Sequence, residues 1–126
     1  MITLNLWAAW IGIMAGMLSG AALGLFFHEE SWLGGYGSWP RRLLRLGHIS
    51  FFGVAFLNLA FSVTVRLSGE VPGQRVASWL LVAGAVLMPT VCVLAAWKKP
   101  LRHLFFLPVL ALLGAAAVII NGGFAS

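Results

Sequence analysis

His28, His48 and His103 are the only histidines in a chain of 126 residues, and each stands near the end of a different apolar segment. Neutral imidazole is a common ligand for a transition metal, and two imidazoles from facing helices supply the axial ligands of a haem b. If the apolar segments cross a bilayer in alternating directions, all three rings arrive on one side. We therefore expect a histidine cluster there, with His48 as the deepest ligand and His103 and His28 as its partners. Glu29 and Glu30, next to His28, are placed to accept a second ring N–H, as carboxylates do behind metal-bound histidine. Arg45, with Arg41, Arg42 and Arg102, offers guanidinium groups to haem propionates or another anionic ligand.

Asn58 belongs with this set. His48, Phe51, Ala55, Asn58 and Ser62 follow spacings of three and four and so lie within one arc of a helix. An amide near mid-bilayer either bonds a neighbouring helix or touches the edge of a haem, quinone or pigment. The histidines also have an ordinary reading, since imidazole at a helix end caps carbonyls or meets lipid headgroups. No HxxxH or HExxH places two ligands on one helical face, and Cys92, the single cysteine, can form neither an internal disulfide nor a CxxC site.

The elements that must position these residues are read from composition. Apolar residues make up 61% of the chain and charged residues 9%, far from soluble-domain usage. Four apolar stretches, about residues 5–27, 43–65, 76–97 and 103–120, are each long enough to cross some 30 Å of hydrocarbon. The expected fold is thus an all-α integral membrane protein, a single domain over residues 1–126 that forms a four-transmembrane-helix bundle with short loops. The first stretch lacks the basic start of a secretory signal and is read as a retained helix. Arg41, Arg42, Arg45, Lys98, Lys99 and Arg102 flank the first and third loops, whereas only Arg66 and Arg75 flank the second. By the positive-inside rule the first group lies in the cytoplasm and both termini lie on the outer, periplasmic side of a bacterial inner membrane. Trp7, Trp10 and Trp79 then sit at the outer interface, and Trp32, Trp39 and Trp97 at the inner one.

Ala8, Gly12, Gly16, Gly20, Gly24 and His28 recur every four residues along the first segment. Such a ladder of small side chains lets another backbone approach closely, and in a bilayer this packing replaces the hydrophobic effect as the force joining helices. Its expected partner is another membrane subunit, a flat cofactor, or the small-residue face that Gly114 shares with Ala111, Ala115, Ala116 and Ala117. Pro40 and Pro100 read as helix starts, and Pro89 and Pro108 as kinks within the third and fourth segments.

Several functions are disfavoured. No acidic or basic residue falls in the middle of a span, which removes the usual carrier of coupled proton or cation transport. Neither GxSxG nor GxxxxGK occurs. The net charge of +5 belongs to loops beside the spans, where orientation and anionic headgroups account for it, so nucleic acid is not an expected partner. The reading that remains is a small subunit of a larger membrane complex, of electron-transfer type, structural or cofactor-supporting. A homo-oligomeric channel or transporter is the alternative.

Overall fold

The computed structural model describes residues 2–123 and forms an all-α four-helix bundle. Its helices are α1 (Ile2–Phe27), α2 (Trp39–Ser68), α3 (Gln74–Trp97) and α4 (Phe106–Gly122). Four segments, Thr3–Phe27, Trp39–Ser68, Gln74–Trp97 and Lys99–Gly122, are long and apolar enough to cross a membrane. Consecutive helices run antiparallel: Gly12 faces Ala55 and Gly20 faces His48, Gly47 faces Cys92, and Gly84 faces Leu112.

Helix ends follow local chemistry. Ser38 caps α2 by accepting from the Arg41 N–H at 3.4 Å, and Pro40 occupies the first turn, where a missing donor costs nothing. The expected boundary near residue 43 thus moves outward to Trp39. Between α1 and α2 the chain makes one 3-10 turn, Trp32–Gly34, in which Leu33 adopts left-handed φ 52°. Trp32 stacks on Phe26 with ring centroids 5.2 Å apart. Arg41 holds this turn together. Its guanidinium is 1% exposed, lies 4.5 Å from the Phe27 ring centre, and donates to the carbonyls of Phe27, Glu29, Glu30 and Trp32. A cation there satisfies carbonyls left over at the end of α1 and meets the negative end of its dipole.

Pro108 does not kink the fourth span from within. Lys99–Phe105 is 3-10 helix, and Pro108 is the third residue of α4, a first-turn position that proline tolerates. It marks the change from one helix type to the other. Pro89 does lie inside α3, which continues through it.

The lateral order of the helices determines where the core lies. Both α1 and α3 pack on α2, while α4 leans on α3. The principal buried cluster therefore joins α2, α3 and α4 through Phe61, Val65, Ala77, Leu81 and Ala115, with Val71 of the second loop closing its end. Gly114 rests against Leu80 of α3, so the small-residue face of α4 does not receive the glycine ladder of α1.

Candidate functional site

The ladder is occupied from within the chain. A methyl group added at Gly12 would lie 2.9 Å from the Ala55 side chain, at Gly16 2.6 Å from Phe52, and at Gly20 2.6 Å from His48. Each of these three glycines makes room for an α2 side chain, so along Gly12, Gly16 and Gly20 the ladder's neighbour is a helix of the same chain. Gly24 has no neighbour within 4 Å and takes no part in the packing.

His48 is held where α1 and α2 meet. Its ring stands edge-on to Phe52, centroids 5.5 Å apart, and its Nδ1 lies 3.1 Å from Ser19 Oγ. The Ser19 hydroxyl proton goes to the Gly16 carbonyl at 3.0 Å. Donor and acceptor in the Ser19–His48 contact follow the imidazole tautomer: with the Ser19 proton on Gly16, the Nδ1–H form donates to Ser19 and keeps its lone pair on Nε2. Nε2 sits at the Gly20 edge with no hydrogen-bond partner among the described residues.

The other two imidazoles do not join it. His28 is exposed at the end of α1, and His103 is exposed on the 3-10 segment leading to α4. That segment packs on α3 and α4 rather than on α1 or α2. Among the described residues no three His, Cys, Asp or Glu side chains are grouped to hold a metal ion, so the expected triad of His28, His48 and His103 is not assembled. Arriving at one end of a bundle is a weaker condition than converging on a point. Arg45 is turned to the first loop, where it donates to the Tyr36 carbonyl at 2.8 Å with its guanidinium 4.0 Å from the Tyr36 ring centre.

Asn58 lies at the centre of a polar network linking three helices. Asn5 of α1 donates to Asn58 Oδ1 at 2.7 Å and to the Ser78 carbonyl at 3.4 Å, while the Ser78 hydroxyl donates to Asn5 Oδ1. Asn58 in turn donates to the carbonyls of Val54 and Leu81 at 3.0 and 3.3 Å. Asn5, Asn58 and Ser78 are all 0% exposed, and both amides have every N–H partnered. Asn58 is therefore joined to neighbouring helices. Sequence reasoning misses Asn5, Ser78 and Ser19. The available signal is an isolated amide in the first span matching the one in the second, since a buried amide requires a partner.

Beside the network the bundle opens sideways. An apolar groove of about 670 Å³ lies between α1 and α3, walled from Leu4 to Ala15 on one side and from Val82 to Leu94 on the other, with Phe51 of α2 contributing. It exists because both walls pack mainly on α2 and only lightly on each other, and because Ala8, Ala15 and Ala85 are short. Thr90, its one hydroxyl, donates to the Val86 carbonyl at 2.6 Å.

At the end of the bundle where α2 begins and α3 ends, cations rest on aromatic rings. The Trp39 indole donates to the Ala95 carbonyl at 2.7 Å, tying α2 to α3. Arg42 and Lys99 lie 5.7 and 5.1 Å from its ring centre, and Lys98 lies 4.8 Å from that of Trp97. None of these three cations is paired with a carboxylate among the described residues.

No protein-family model, curated protein or solved structure matches this chain.

Proposed function

We infer that this chain is a small, non-catalytic integral-membrane subunit serving a larger membrane assembly as a structural or cofactor-supporting element. The closed network of Asn5, Asn58 and Ser78 carries that reading. Every amide hydrogen of both asparagines is taken, three by carbonyl or amide oxygens of neighbouring helices and one by Val54 within α2, leaving none for a substrate or a permeating ion. A homo-oligomeric pore lined by Asn58, Ser62 and Thr90 is disfavoured on the same ground, because each side chain already donates to a carbonyl of its own helix.

With the glycines covered by α2, the surface for a partner is the outward side of α1, where Trp10, Met14, Met17 and Leu18 are exposed. Photo-crosslinkers at Trp10, Met14 or Leu18, activated in native membranes, test the reading. Crosslinks to one polypeptide of discrete mass are expected, and crosslinks to lipid alone from all three positions overturn it.

A second reading rests on His48. A ring that donates through Nδ1 and keeps its Nε2 lone pair is arranged as ligating histidines are. On that reading the assembly is an electron-transfer complex, His48 is one axial ligand of a haem b, and the other ligand comes from the partner. An absorbance scan of the complex purified in mild detergent decides it. A Soret band lost in His48→Ala is expected, whereas no Soret band and no stoichiometric metal eliminate the haem.

A further inference from the structure

The groove between α1 and α3 and the cations beyond its end lie on one line. Val82, Ala85, Val86, Pro89, Thr90, Val93 and Leu94 form the α3 wall, a stripe advancing by three and four residues. Its next member is Trp97, which is 74% exposed and carries the Lys98 ammonium 4.8 Å from its ring centre. Lys99 follows at once, over Trp39. The groove thus runs out from a largely apolar interior onto a shelf of positive charge that no carboxylate among the described residues pairs.

Its lining identifies what fits. The two walls are staggered: Asn5 of α1 lies level with Ser78 of α3, so the Leu4–Ala15 wall begins nearer the α2–α3 loop and the Val82–Leu94 wall ends nearer Trp97. The lining is apolar but for the Trp7 indole and Thr90, whose hydroxyl already donates to Val86. A polyprenyl or fatty tail satisfies the apolar part, and the lysines require an anionic head.

We propose that the α1–α3 groove holds one acyl chain of an anionic phospholipid, with the lipid phosphate paired to Lys98 and Lys99. The charge complementarity is direct. Each lysine near an anionic headgroup favours it by roughly 1 kcal/mol, so two give a preference for anionic over zwitterionic lipid of roughly thirtyfold. Trp97 and Trp39 hold the ammonium groups at headgroup height, where indoles settle.

Native mass spectrometry of the full chain in detergent, titrated with phosphatidylglycerol or phosphatidylcholine of equal long chains, tests this. One tightly retained phosphatidylglycerol is expected, favoured over phosphatidylcholine by about thirtyfold. The double variant Lys98→Gln/Lys99→Gln is expected to lose that preference, and Ala85→Phe, which fills the groove, to weaken both lipids. Equal retention of the two lipids, or a preference that survives loss of both lysines, overturns the headgroup assignment. Dihexanoyl phosphatidylglycerol is added to the unaltered protein as an arm that needs no variant. If the short-chain lipid binds as well as the long-chain one, the acyl chain is not in the groove. Displacement of phosphatidylglycerol by inorganic phosphate, but not by chloride at equal ionic strength, makes this a free-phosphate site and overturns the proposal. A dimer that excludes lipid overturns it in favour of a second copy in the groove.

Discussion

Asn5 and Asn58 share a hydrogen bond of 2.7 Å, so removing either amide strands the other inside the bundle. Interhelical hydrogen bonds in membranes contribute about 0.6 to 2 kcal/mol each, and leaving a buried donor unsatisfied adds to the loss. Asn58→Leu and Asn5→Leu are each expected to cost about 1–2 kcal/mol of stability in reversible unfolding from mixed micelles. The double variant is expected to cost less than the two together, because the second change removes the group that the first had orphaned. Strict additivity would show that the two amides act independently. The need of Asn58 for a partner was legible in its position alone. The identity of that partner was not, since Asn5 is separated from it by 53 residues.

At the scale of the element, the glycine ladder divides into a packed part and an open part. Gly16 and Gly20 face Phe52 and His48 at distances too short for any side chain, and Gly24 faces nothing within 4 Å. Overpacking an interface of this kind typically costs 1 to about 3 kcal/mol, while a change at an open position stays within about 0.5 kcal/mol. Gly16→Leu and Gly20→Leu are therefore expected to lower thermal stability in detergent, and Gly24→Leu to leave it unchanged. Equal effects at all three positions would mean that α1 does not meet α2 along this register. Spacing revealed a face built for close approach, and packing revealed that the face is used up within the chain. The reason is that apolar residues surround α1 on every side, so its hydropathy pattern does not distinguish a side turned to lipid from one turned to a neighbour.

For the whole molecule, charge carries the orientation we propose. With Arg41, Arg42, Arg45, Lys98, Lys99 and Arg102 at one end of the bundle and Arg66 and Arg75 at the other, the positive-inside rule predicts that the first end faces the cytoplasm. Cys92 is buried, which makes single-cysteine reporters practical after Cys92→Ala. Membrane-impermeant maleimide added to intact cells is expected to label a cysteine at Glu70 but not at Ser31 or Arg102. The opposite pattern would reverse the orientation, and labelling at both ends would remove the four-crossing arrangement. In the expected pattern, the end carrying the lysines meets the cytoplasmic leaflet, whose anionic lipids match them.

Length and composition by themselves determined that four segments are long and apolar enough to cross a membrane, that Pro40 stands at the start of one helix, and that the histidines belong to three different segments. These are properties of neighbouring residues, decided by the hydrophobic effect and by backbone chemistry within a turn or two. Tertiary structure alone decided that α2 covers Gly12, Gly16 and Gly20, that Asn58 meets Asn5 and Ser78, that Arg41 closes α1, and that three imidazoles do not converge. An apolar helix in lipid is free to turn about its axis and to choose its neighbour until close packing and a few buried hydrogen bonds select one arrangement, and those contacts join residues far apart in the chain.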